Sequence, residues 1–189
     1  MRPPALHLGH ELATLAATCL TAGCVYTLAP AIPPELARSN PALLGEWVND
    51  EGDRAVVTAG EGGDYRVAYS DSDGEPVELC ARLGELGGRT VLEVTRVCMS
   101  ADDDWPVGRL QVFLELGEDR LTLALLDTDS ARAALQSGAL LLPHMTSMER
   151  NENVLLGGSS EEVAEALESY VARPGVMGSP DVWRRVRED

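Results

Sequence analysis

The residues able to do chemistry in this chain are few, and their spacing argues against most catalysis. Of the three histidines only His144 lies beyond the first ten residues, next to Pro143 in a stretch that reads as a loop. A triad or an acid–base pair needs a His held against a nucleophile or a carboxylate, so a single loop His is expected to be solvated. Ser159 and Ser160 follow Gly157 and Gly158. That pattern caps a helix and lacks the strand–Ser–helix elbow of hydrolases. Zinc needs clustered Cys and His, which are absent. Carboxylates do come at short spacing, at Asp71, Asp73 and Glu75 and again at Asp102, Asp103 and Asp104. Oxygen donors of this kind suit calcium, but neither group completes a calcium loop, so solvated turns are the first expectation and a weak ion site the second. No Gly-rich stretch leads from a strand into a helix with a following Lys, as a phosphate-cradling loop does. The expectation is a protein that is not an enzyme and has no cofactor and no metal, with hydrolysis the least favoured alternative.

A chain of 189 residues, 44% of them hydrophobic, is about one domain with one core. Fifteen Lys+Arg residues, all of them Arg, stand against 31 Asp+Glu, for a formal net charge of -16. Such a surface repels polyanions, and only Arg184, Arg185 and Arg187 could gather into a basic patch, so nucleic acid is excluded as a partner. A solvated surface that resists association is the simplest reading of the acidity.

Residues 12–20 form an apolar run too short to cross a bilayer but of the length an export signal uses. Leu20-Thr21-Ala22-Gly23-Cys24 follows and resembles the lipobox of bacterial lipoproteins. The resemblance implies a signal peptide over 1–23, removed on export, and acylation of Cys24 by palmitate-type chains. Several chains hold a protein on a membrane, at about 0.8 kcal/mol per buried methylene. It implies a lipid-anchored place in the cell envelope, and Val25, where an inner-membrane retention signal has Asp, favours the outer membrane facing the periplasm. Ordinary secretion with cleavage near Ala29, Pro30 and Ala31, or a cytoplasmic start, are the alternatives. With Cys19 in the signal and Cys24 acylated, Cys80 and Cys98 remain as a candidate disulfide in an oxidising compartment. A two-residue turn at Gly87-Gly88 sets Cys80 across from Thr95 and turns Cys98 to the opposite face, whereas a looser turn near Arg89 opposes the two cysteines. Two separate buried thiols are the other option.

Residues 24–41, with Pro30, Pro33, Pro34 and Pro41, read as a Pro-rich tether, and 42–189 as a single domain. From 42 onward the pattern has period two, with runs at 44–48, 54–58, 65–69, 77–86, 90–97, 110–116 and 120–126, separated by short Gly/Asp-rich turns. This predicts an antiparallel meander that curls into a barrel or half-barrel. A short helix is expected over 130–137, capped by Asp129 and ended by Gly138. A second starts at the Ser159/Glu162 capping box and buries Val163, Leu167, Tyr170 and Val171 before Pro174. Segments 145–149 and 153–156 are candidate added strands. The fold class is mainly β (α+β), with a connector helix and a C-terminal helix on the sheet.

Gly45-Glu46-Trp47 at the lead-in to the first strand of this meander resembles the Gly-x-Trp opening of lipocalins. The resemblance implies that Trp47 plugs the closed end of a barrel and that an Arg from the far end of the chain, Arg184 or Arg185, covers it. The function that follows is binding of a small apolar molecule or lipid in the barrel interior or at its open rim. The alternative is a structural or assembly role, in which the rim or the Trp183-Arg184-Arg185 tail docks to another envelope protein.

Overall fold

Inward apolar and outward polar residues alternate along most of the chain, and a computed structural model describing residues 23–72, 74–96, 108–146 and 153–187 shows what the alternation builds. The strands are β1 (Val25–Thr27), β2 (Gly45–Asn49), β3 (Arg54–Ala59), β4 (Tyr65–Ser70), β5 (Val77–Leu86), β6 (Arg89–Thr95), β7 (Arg109–Leu116), β8 (Arg120–Leu125), β9 (His144–Thr146), β10 (Val154–Leu156) and β11 (Asp181–Arg185). Helix α1 spans Thr128–Ser137 and α2 spans Ser160–Val171. Each of β2 to β8 pairs antiparallel with the next, and β11 lies between β8 and β2, which closes an eight-stranded up-and-down barrel. Closure gives every strand of the barrel a partner on both sides.

Trp47, Tyr65, Tyr69, Leu83, Leu114 and Trp183 fill the barrel from inside. A second core lies outside it. Leu86, Val91 and Phe113 on the outer face of β5 to β7 meet Val163, Leu167, Tyr170 and Val171 of α2, together with Leu135 of α1 and Ile32 from the N-terminal segment. Full burial of each such Val or Leu is worth roughly 1.5–3 kcal/mol, so this layer belongs to the fold and is no ornament on it. The α2 face is the one expected from the sequence, and its capping box is complete: the Ser159 hydroxyl accepts from the Glu162 N–H while the Glu162 carboxylate accepts from the Ser159 N–H.

The turn between β5 and β6 is a two-residue turn, with Gly87 and Gly88 both at positive φ, 56° and 74°. It fixes Leu86 opposite Arg89 and Cys80 opposite Thr95. Cys80 is disulfide-bonded. Cys98 lies outside the described residues, as do Asp73, Asp102, Asp103, Asp104 and residues 1–22 of the expected signal.

Four expectations need correction. Residues 24–41 do not form a tether: β1 pairs parallel with β10 and antiparallel with β7, and Cys24, Val25, Ala31 and Ile32 are at most 3% exposed. The prolines remove N–H donors from 30–34 and hide the strand character of Val25-Tyr26-Thr27 just before them. Helix α1 is capped by Asp127, whose side chain accepts from the Ser130 N–H, and Asp129 falls in its first turn. His144 is on β9, paired with Leu156 of β10, instead of in a loop. Finally, Trp183-Arg184-Arg185 is no free tail. It is the closing strand, with Trp183 only 2% exposed.

Candidate functional site

The pairing of β6 with β7 covers only part of their length: Val91, Leu92, Glu93 and Val94 face Phe113, Val112, Gln111 and Leu110. Beyond Val91 the strands part, because β6 turns back with β5 at Gly87-Gly88 while β7 continues with β8 to Leu116. A cavity of about 630 Å³ occupies the gap and opens to solvent. Gly88, Arg89 and Thr90 line one side of it, and Leu114, Glu115 and Leu116 the other. Leu43 and Leu83 reach it from the interior of the barrel, while Thr122, Ala124, Met177 and Pro180 form a further wall. The barrel wall therefore has a lateral cleft lined in about equal share by apolar groups, four of them leucines, and by polar ones, among them Asn40, Arg89, Thr90, Glu115 and Thr122. Its volume falls in the range of small-molecule sites, about 300–1,000 Å³.

The cleft lies near the end of the barrel sealed by Pro41, Ala42 and Leu43. Trp47 is wholly buried there, and its indole N–H donates to the Leu43 carbonyl at 2.9 Å. Of the two candidate arginines, Arg185 covers the ring: its guanidinium carbon is 4.3 Å from the centroid, and it donates to the carbonyls of Leu44 and Ala42. Arg184, one residue away and on the other face of β11, pairs with Asp50 at the surface. Gly45 has φ 122°, a backbone conformation that favours glycine, and a Cβ there would sit 2.8 Å from Arg185 Nη1, so a side chain would also displace the guanidinium.

At the opposite end of the interior lies a polar network. Asp53, 5% exposed, accepts from Tyr69 Oη at 3.0 Å and from Asn49 Nδ2 at 3.2 Å, and Asp181 accepts from Trp183 Nε1 at 2.7 Å. This network occupies the side of the rim opposite Gly45 that β2, β4 and β11 form, and the cleft lies in the side wall.

A third polar group lies on the outer face of β6 and β7. Glu93 is 2% exposed, and its Oε2 accepts the Ala31 N–H at 2.6 Å. Gln111, directly across on β7, donates to Thr27 Oγ1 at 2.9 Å. Burial holds the Glu93 carboxyl above the usual carboxylate range, against the opposing pull of the Ala31 N–H, of Arg109, of Gln111 and of Arg82. Sequence reasoning could not flag Glu93. On a half-buried strand its position reads as solvent-facing, and only the second core explains its burial.

The remaining candidates stay apart. Asp71 and Glu75 flank Asp73 in the turn before β5, and among the described residues no group of three or more His, Cys, Asp or Glu is placed to hold a metal. Exposed His144 lies across from Leu156, and its Nδ1 is 3.1 Å from the Leu142 carbonyl. Cys24 is 2% exposed and disulfide-bonded, and its N–H donates to Asn153 Oδ1 at 2.7 Å. Comparison with protein-family models, with curated proteins and with solved structures finds no match.

Proposed function

We propose that this chain is a non-enzymatic envelope protein, anchored by lipid at Cys24, that binds a small, mainly apolar molecule in the cleft between β6 and β7. The observation that supports the binding half is the cleft itself, about 630 Å³ where two barrel strands part. Leu43, Leu83, Leu114 and Leu116 offer apolar contact, and Arg89, Glu115 and Asn40 offer hydrogen bonds to one polar end of a ligand. Binding is tested by titrating the full chain with N-phenyl-1-naphthylamine, an apolar probe whose fluorescence rises on leaving water. Saturable binding at one site is expected, and Leu116→Trp, which fills the cleft, abolishes it. No binding, together with no small molecule found by mass spectrometry in the purified protein, overturns the reading.

The anchoring half rests on the residues 20–24. A sulfur held in a disulfide cannot also carry a thioether, so the acylated form is one in which Cys24 is reduced and its side chain has left its buried site. Metabolic labelling with an alkynyl fatty acid in a bacterial host is expected to label the protein, and Cys24→Ser is expected to lose both the label and membrane association. An unchanged membrane fraction for Cys24→Ser removes the anchor from the proposal.

A further inference from the structure

Residues 28–40 run from β1 across the outside of β6 and β5 to the mouth of the cleft. Pro30, Pro33 and Pro34 leave this stretch few N–H groups with which to hold the barrel. The Ala31 N–H bonds Glu93 at 2.6 Å, the Arg38 N–H bonds the Leu83 carbonyl at 2.8 Å, and the Asn40 N–H bonds Tyr65 Oη at 2.6 Å. Ile32 lies on Gly84, where a Cβ would come within 2.6 Å of it. The far end of the stretch is part of the site, since Asn40 lines the cleft.

An exposed ion pair, Arg38 with Glu85 of β5, adds a further tie, and among the buried fastenings Glu93 is the one carboxyl. Glu93 Oε1 is buried without a hydrogen-bond partner, and so are Gln111 Oε1 and Arg109 Nε. Two of these three atoms are acceptors lying on directly opposed residues, and a proton on Glu93 Oε1 turns it into a donor for the unpartnered Gln111 Oε1. The cations nearby fit an ionised carboxylate poorly. Arg109 on β7 approaches Oε1 only to 3.6 Å, and Arg82, across from Glu93 on β5, is committed to Asp64 by bonds of 2.9 and 2.8 Å. From its own side the strap presents the Ala31 N–H and no cation.

We propose that residues 28–40 are a strap across the outer face of β5 and β6, latched by protonated Glu93, and that ionisation of this carboxyl frees the strap and with it the edge that Asn40 gives to the cleft. The gating half rests on the cleft being the ligand site; the latch does not. With the strap docked, Glu93 holds its proton to higher pH than with the strap open and the carboxyl in water. Docking is therefore strongest at pH below the ordinary carboxylate range and is lost as pH rises through the raised value.

Hydrogen exchange of the full chain, followed in peptides covering residues 28–38 from pH 4 to 8 and corrected for the intrinsic rate, tests the latch. Protection is expected to fall about tenfold per pH unit within the window between the two carboxyl values. Glu93→Gln keeps an acceptor for Ala31 and a donor for Gln111 but cannot ionise, so its protection is expected to be level across the range. Level protection in the wild type, or a Glu93→Gln variant that follows the wild type, overturns the latch. The release rate of N-phenyl-1-naphthylamine is expected to rise with pH in the wild type alone. If exchange responds and release does not, the gate is overturned and the latch stands. If the probe does not bind at all, the gate falls with the binding reading, and exchange still decides the latch.

Discussion

The guanidinium of Arg185 lies over the ring of Trp47, 4.3 Å from its centroid, and ties the last strand of the barrel to the first. The same group donates to the Leu44 and Ala42 carbonyls. A cation–π contact is worth about 0.5–2 kcal/mol and a hydrogen bond to a charged group about 1.5–3, so Arg185→Ala is expected to cost about 2–3 kcal/mol. Arg184→Ala removes only an exposed pair with Asp50 and is expected to leave the urea midpoint where it is. Equal losses for the two variants would show that Arg185 is an ordinary surface cation.

That contrast also shows what the sequence made legible. Gly45 and Trp47 could be picked out, but choosing between Arg184 and Arg185 needs the face of a strand. The run Val182-Trp183-Arg184-Arg185-Val186, rich in charge and short, carries no clear period. The β2 to β8 meander was readable because polar residues alternate with apolar ones and Gly pairs mark its turns. The ends of α2 were readable because Ser159 and Glu162 form a local motif. β1 and the burial of Glu93 were hidden for one reason: both depend on a second layer outside the barrel, and no local pattern announces that a face expected to meet water is covered. The cleft was hidden as well, since it arises from where β6 and β7 stop pairing and not from any residue in them.

Helix α2 offers a local check on that second layer. Ser159 supplies the hydroxyl acceptor of the capping box, and its N–H is satisfied by Glu162 at 2.8 Å. Ser159→Ala is expected to cost about 0.5–2 kcal/mol in a urea melt, because the Glu162 N–H loses its partner at the helix start. A loss near zero would mean that water replaces the cap at no cost.

At the polar end of the barrel, Tyr69→Phe separates the hydroxyl from the ring. The ring keeps its tilted contact with Trp183, at 6.4 Å between centroids, while Asp53 loses the Oη donor at 3.0 Å. Taking one partner from a buried carboxylate is expected to cost about 1–3 kcal/mol with the near-ultraviolet circular dichroism little changed. A wild-type melting temperature for this variant would show that the hydroxyl adds nothing to the buried network.

The seat of the strap can be tested without touching Glu93. Gly84 is buried under Ile32, and an added Cβ would meet Ile32 Cγ2 at 2.6 Å and Cδ1 at 2.9 Å. Gly84 has no positive φ, so Gly84→Ala carries no backbone penalty and acts through this contact alone. Overpacking of this kind costs about 1–3 kcal/mol. Ile32→Ala alone empties a buried site, at about 2–5 kcal/mol. Combined, the two changes relieve one another, since the new methyl enters the space that Ile32 vacates, so the double variant is expected to lose at least about 0.5 kcal/mol less than the sum of the single losses. Hydrogen exchange over residues 28–38 should follow the same order, fastest in Gly84→Ala relative to its loss of global stability. Strict additivity in both measurements would mean that Ile32 and Gly84 do not press on each other and that the strap is held elsewhere.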